Sequence, residues 1–479
     1  GHNIRVDHAP GLLPLSLGHR VGFFFPALRS IMSDASDADG PTPYVSKPAI
    51  RVEGSASSVN REEHAALLDL SHSSSPASTV PILNRALLTT VPLFMGYAGM
   101  ITLQHHVKVR IGISDDDKDA SDVFSSGVGC LYLGNLCFRL LHNVLLAFLK
   151  PKYRVVFAYS SMALAHIILT LAYYVFESKH VAFVYLAYLI AGIAIGTFES
   201  NLISCLTPLG HGTKSRAVVG IPIGFNGVSV GFFIVFAAVP GNLWLEGGAY
   251  VLIAVCNLAA LFFFLWAIPQ VDFEASKDNF KTLISHAREW RGWLPNIWRH
   301  CVALLGDMFM VSMFSAVCLY IFDVPNVPLW PTSTTTVPKN YFQAFYNLCA
   351  FAGDFSSRQI AYRSRELNPL LFLIVSIIGG AIAICKVAII APVGMFLVMF
   401  ANGSIYAQTT RHVDNHVGRT YNLIALSMWL FVGDIGSYTA SNVVAPVRSL
   451  VGGVVGGAPP PSGPNSSSVN ATAWQLLLM

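Results

Sequence analysis

From residue 84 onward the chain alternates long apolar runs with short polar breaks. Each run approaches the ~20 residues that an α-helix needs to cross a bilayer. The pattern predicts eleven spanning helices, at 84–104, 124–149, 153–176, 181–206, 217–240, 247–268, 300–323, 341–362, 369–390, 393–409 and 421–446, with the cut in the ninth and tenth taken at Ala391–Pro392. Residues 1–80 show no apolar periodicity. They are rich in Ser, Ala, Pro, Asp and Gly, with a serine cluster at 71–75, and read as a disordered segment. The first methionine is Met32, so a start there would make residues 1–31 an upstream artefact. No apolar run leads into a small-residue cleavage site, and a cleaved signal peptide is not expected. The Gly/Pro/Ser-rich tail at 447–479 reads as flexible.

The longest internal connection, 269–299, splits the helices into a group of six (84–268) and a group of five (300–446). Within it, Asp278–Trp293 has Phe280, Leu283, Ile284 and Ala287 on one side, as in an amphipathic helix lying on a membrane surface. A six-plus-five division suggests two bundles that rock about a central site. The fold class expected is therefore all-α, a polytopic membrane protein of about eleven helices in a major-facilitator-like arrangement. Basic residues orient it. The connections after helices 2, 4, 6, 8 and 10 hold fourteen Lys and Arg, from Lys150 to Arg419, against six on the opposite side. The N-terminus is then expected in the cytoplasm and the C-terminus outside, with the plasma membrane as the expected location. The sequons at Asn465 and Asn470 fall on the outer side.

Composition agrees with this picture and removes others. The chain of 479 residues is 53% hydrophobic and only 12% charged, with mean hydropathy +0.55. Soluble domains carry about 25% charged residues. A net charge of +4 gives no reason to expect a nucleic-acid partner. The eight cysteines, at 130, 137, 205, 256, 301, 318, 349 and 385, show no paired spacing, so neither a disulfide framework nor a metal site is expected from them. His105 and His106 are adjacent, point apart on a helix and read as solvated. Phosphate-binding loops and zinc-protease motifs are absent from the sequence, and neither an enzyme nor a cofactor is expected.

The informative residues are polar ones inside apolar runs, because a charge at the bilayer centre costs about 3 kcal/mol or more. Tyr341–Tyr362 carries Asp354 and Arg358, which share a helix face at i and i+4. Such a pair either locks helices together or walls a transport pathway. The number of similar residues in neighbouring runs favours the pathway. Helix 2 has Asn135, Arg139 and His142, helix 3 His166, helix 4 Glu199, Ser200 and Asn201, and helix 5 Asn226. Helix 7 has Asp307, helix 9 Lys386, helix 10 Asn402 and helix 11 Asp434. Asp307 and Lys386 read as the weakest members, near helix ends where water reaches them. Helix 5 also places Gly220, Gly224, Gly227 and Gly231 at small-xxx-small spacing, with Pro222 to kink it.

This plan resembles the equilibrative nucleoside transporter family. Asp354-Phe-Ser-Ser-Arg358 is similar to the helix 8 Asp and Arg of that family, and Met399-Phe-Ala-Asn402-Gly403-Ser404 to its helix 10 element. Gly196-Thr-Phe-Glu199-Ser-Asn201 and the glycines around Asn226 sit where the family has substrate-facing residues. The sequence departs from the family at Ser357, where a glycine is usual, at Asn347, displaced upstream, and at Glu199, where many members are neutral. The resemblance implies passage of nucleosides or nucleobases by alternating access, facilitative or proton-coupled. The expected pathway residues are Asp354, Arg358, Glu199, Asn201, Asn226, Arg139, His142, Asn402 and Asp434. The expected partners are a small-molecule substrate, the bilayer and protons. The alternative is a facilitator-type carrier of an amino acid, vitamin or organic cation.

Overall fold

The computed structural model describes residues 79–113, 117–239, 242–268, 285, 288–322 and 324–452. The amphipathic stretch 278–293, most of the 269–299 connection, the N-terminal segment to residue 78 and both sequons lie wholly or largely outside them. Each of the eleven predicted runs is helical. The elements are α1 (Thr79–Thr102), α2 (Gln104–Ile111), α3 (Lys118–Leu145), α4 (Pro151–Leu169), α5 (Ala182–Leu206), α6 (His211–Pro222), α7 (Val228–Ala238) and α8 (Leu243–Ala267). They continue with α9 (Trp290–Ile321), α10 (Lys339–Arg363), α11 (Pro369–Ala383), α12 (Ala391–His416) and α13 (Asn422–Val451). A two-strand hairpin, β1 (Asn326–Pro328) and β2 (Thr336–Pro338), joins α9 to α10 and is the one departure from all-helical structure among the described residues.

Seven of these helical stretches are long and apolar enough to cross a membrane, and an eighth is counted if α1 and α2, bent by 46°, form one broken span. α11 is apolar but has only 15 residues. α10 and α12 fall short because polar side chains interrupt them, and among these Asp354, Ser357, Arg358, Asn402, Ser404 and Gln408 prove to be buried. Large apolar residues remain exposed around the outside, among them Trp244, Phe262, Trp266, Leu371, Ile374 and Val393. An outward apolar surface of this kind is what lipid solvates. The chain is a multi-pass membrane protein.

Helices α1–α8 pack chiefly among themselves, with α3 and α4 on α5, α6 and α8 on α1, and α8 on α4. Helices α9–α13 do the same, with α10 and α11 on α12, and α13 on α9. The two groups meet where α13 crosses α3 and α5, and where α10 crosses α6. Small residues set the closest approaches. A Cβ on Gly192 would stand 2.1 Å from the Leu131 carbonyl, and one on Gly196 2.5 Å from that of Asn135, so α3 and α5 touch backbone to backbone.

The fifth run breaks at its proline. α6 ends at Pro222, a π-helical turn covers Ile223–Gly227, and α7 follows. A proline withholds the N–H that would bond the carbonyl four residues earlier, and an inserted π turn is one way to absorb the mismatch. Gly220 and Gly224 do face α1 closely, whereas Gly231 meets nothing within 4 Å. The ninth run ends early, at Ala383 rather than 390, and Lys386 lies in the following connection with φ 64°. The helix thus stops before its basic residue.

Candidate functional site

Asp354 and Arg358 lie on one face of α10, with Arg358 Nε donating to Asp354 Oδ1 over 2.6 Å, and both are buried. The other carboxylate oxygen, Oδ2, accepts from Asn226 Nδ2 at 3.2 Å. Asn226 belongs to the π turn between α6 and α7, so this bond joins the two helix groups. The proline break contributes a second link. Val218 is the residue whose carbonyl Pro222 cannot bond, and that carbonyl accepts from Arg358 Nη1 at 3.5 Å. The guanidinium also lies over the Tyr406 ring of α12, 4.4 Å from its centroid. α12 approaches this closely because position 403 is glycine. A Cβ there would sit 2.0 Å from Ser357 Oγ and 2.7 Å from the Asp354 carbonyl oxygen. Ser357 itself donates to the Asp354 carbonyl, and Asn347 donates to Gln343 one turn earlier.

A second buried group forms around Arg139 of α3. Its Nη1 is 2.7 Å from Glu199 Oε2 of α5, and its Nε is 2.9 Å from Asp434 Oδ2 of α13. Asn135, one turn earlier on α3, donates to the same Asp434 oxygen at 3.2 Å. The glycine contacts of α3 and α5 bring Arg139 beside Glu199, and α13 adds Asp434 from the other helix group. His142 caps this group from below: Nδ1 lies 2.6 Å from the Phe138 carbonyl and Nε2 3.5 Å from Ser200 Oγ. Asn201 is buried but turns on its own helix, donating to the Thr197 carbonyl at 2.6 Å.

Asp307 differs from the sequence-based expectation. It is fully buried on α9, and its Oδ2 accepts from Asn402 Nδ2 of α12 at 2.8 Å. The helix begins at Trp290, ten residues before the predicted start, which moves Asp307 away from the end. Asn402 precedes Gly403, which packs on Asp354, so Asp307 adjoins the Asp354–Arg358 pair through α12. The two groups together hold four carboxylates (Glu199, Asp307, Asp354, Asp434) and two guanidinium groups. The Tyr97 ring packs on Phe225 of the π turn with centroids 5.0 Å apart. Composition alone did not single out these two aromatics, because most aromatics in such a chain face lipid.

The end of the bundle carrying the basic connections is closed by polar contacts between the groups. Lys214 of α6 meets Asp414 of α12 at 2.5 Å, with side chains 1% and 6% exposed. Asn143 of α3 donates to Ser427 of α13 at 3.1 Å, and within the second group Asn422 of α13 donates to Asp414 at 3.0 Å. Sequence reasoning had ended the tenth helix at 409 and missed Asp414. The helix runs on to His416 because a helix need not stop where its apolar run stops.

No protein-family model matches this sequence, and no curated protein does. Among solved structures, the chain is similar to a variant of the E. coli fucose:proton symporter FucP, with 16% identity, 83% of this chain and 97% of that chain covered, and a TM-score of 0.53. FucP in the outward conformation (15% identity, 83% and 96% covered, TM-score 0.48) and a mutant of the peptide transporter POT in complex with alafosfalin (13%, 76% and 87%, TM-score 0.49) also match. The first likeness shows the fold: the helices of this chain are arranged as in that symporter.

Proposed function

We propose that this chain is a membrane transporter that passes nucleosides or nucleobases by alternating access, with the Asp354–Arg358 pair at its centre. The observation that carries the reading is the bond between Asn226 and Asp354, which ties an ion pair on one helix group to a broken helix of the other. A solute entering between the groups would compete for these bonds. Arg358 offers donors to hydroxyls or ring nitrogens, Asp354 and Asn402 offer acceptors, and the Tyr97–Phe225 pair offers a face to a planar ring. Glu199, Asp434, Arg139 and His142 line the same region in this reading, and Asn201 steadies α5 behind Glu199. The excess of carboxylates over guanidinium groups supports proton coupling, because an uncompensated charge in a low-dielectric interior is costly. The same excess gives the second reading, a carrier of organic cations. In both, the protein sits in the plasma membrane with its basic end and N-terminus in the cytoplasm.

The test is uptake of radiolabelled adenosine, inosine, uridine and hypoxanthine into transporter-deficient cells, at two external pH values. Asp354→Asn and Arg358→Ala run beside the parent with surface expression measured. Saturable uptake lost in both variants at normal expression is the expected result. Well-expressed parent protein that moves none of the four but moves an organic cation would replace the first reading with the second.

A further inference from the structure

We infer that the basic end of the second helix group holds a site for a borderline divalent cation of the zinc class, built from Glu366, His412 and His416. The two histidines are i and i+4 on the last turns of α12, a spacing that puts both rings on one helix face. Glu366 comes from the connection between α10 and α11. Its Oε2 lies 3.4 Å from His412 Nδ1 and 3.7 Å from His416 Nδ1, and one ligand atom from each of the three lies within 4.8 Å of the others. In a tetrahedral centre with bonds of ~2.0–2.1 Å, ligand atoms stand about 3.3 Å apart. The three groups are therefore near the spacing a cation would impose, and a small closure completes it.

The surroundings prepare the ligands. His412 Nε2 lies 2.9 Å from the Asn296 carbonyl of α9, and its Nδ1 faces the carboxylate. An imidazole that donates one N–H to a backbone carbonyl presents the other nitrogen as a bare lone pair, the tautomer metal ligation uses. A lone pair facing a carboxylate oxygen is unfavourable unless a cation or proton lies between them. His412 is stacked between His300 and His416, with centroids 4.3 and 4.2 Å away, which fixes the plane of its ring. Asn415 Nδ2 donates to Glu366 Oε1 at 2.6 Å and so orients the other oxygen. Arg411 is near Glu366 at 3.8 Å, but its Nη1 is engaged by the Ser364 and Tyr362 carbonyls. His416 Nδ1 also lies 3.3 Å from the His412 carbonyl, a weak bond that the cation would replace.

Access is open. His416 is half exposed, and the three groups line a cleft of about 460 Å³ that also borders His300. Three protein ligands leave a fourth position for water. The cation would staple the α10–α11 connection to the end of α12. This site is independent of the transport reading.

The test uses the purified full-length chain in detergent, stripped with chelator and dialysed to equilibrium against radioactive zinc. The expected result is one zinc per chain in the parent, bound at least tenfold more weakly by His412→Ala, His416→Ala and Glu366→Gln. His105→Ala should bind like the parent. Cobalt titration should give the visible ligand-field band of a tetrahedral centre in the parent alone. Should an alanine variant fail to fold, His416→Gln at the half-exposed position carries the comparison. No zinc bound by the parent, or equal binding by the His412→Ala/His416→Ala double variant, overturns the site.

Discussion

Replacing Lys214 by methionine removes the cation from the ion pair that closes the basic end. Lys214 and Asp414 are almost fully buried and meet at 2.5 Å. Breaking a buried pair by deleting one partner costs about 3–5 kcal/mol, because the remaining charge is uncompensated. Asp414 keeps the Asn422 amide at 3.0 Å and has His211 at 3.7 Å, so the lower figure, about 3 kcal/mol, applies here. In the alternating-access reading proposed above, the pair exists only while this end is closed. Its loss therefore shifts the balance toward the open-end state by a factor of about 150, at 1.36 kcal/mol per decade. Hydrogen exchange of the purified protein reads this directly. Residues 207–216 and 408–418 should exchange faster in Lys214→Met, and Lys214→Met/Asp414→Asn should recover much of the protection, because no lone charge is left. A double-mutant coupling below about 0.5 kcal/mol, the scatter expected of independent sites, would refute the reasoning.

Other changes test the region between the helix groups. Gly403→Val places atoms within contact distance of Ser357 and Asp354 and should force α10 and α12 apart, at a cost of about 1–3 kcal/mol seen as a lower Tm. Asn402→Leu removes the donor to Asp307 and leaves a buried carboxyl oxygen without it, costing about 1–3 kcal/mol by thermal unfolding in detergent. Pro222→Ala returns an N–H to the Val218 carbonyl and should raise Tm, by up to about 3 kcal/mol of helix stability, while slowing uptake because the π turn carrying Asn226 straightens. An unchanged Tm would mean that Gly224 against α1, rather than the proline, sets the break.

Much of the architecture was legible because lipid imposes a simple rule: a spanning segment must be apolar for about twenty residues. The errors lie where that rule and helix formation part company. α9 starts at Trp290 and α12 ends at His416, both beyond their apolar runs, since aqueous helix ends tolerate Arg, His and Asp. Asp307 was misjudged, and Asp414 and His412 were passed over, for that one reason. The i,i+4 pair of Asp354 and Arg358 was readable because both partners share a helix. The partners of Arg139 were not, because Glu199 and Asp434 reach it only through packing, 60 and 295 positions along the chain. Glycine at 192 and 196 carried part of that information, since a pair of helices that can touch backbones will bring their polar turns together.

The helix that most of these contacts share is α12. Near its middle, Asn402, Gly403 and Tyr406 meet Asp307, Asp354 and Arg358. Two to three turns later Asp414 faces Lys214 of the other group, while His412 and His416, about 160–200° around the helix from it, face Glu366 of its own. A rigid helix transmits displacement along its axis, so a shift at Gly403 on loading of the centre must reappear at Asp414. The buried pair there has no solvated intermediate position: at 1% exposure Lys214 is either bonded or stranded. In the transport reading proposed above, an element bonded or stranded at one end and crossed by a ligand-competing network at its middle would couple occupancy to closure without any further part.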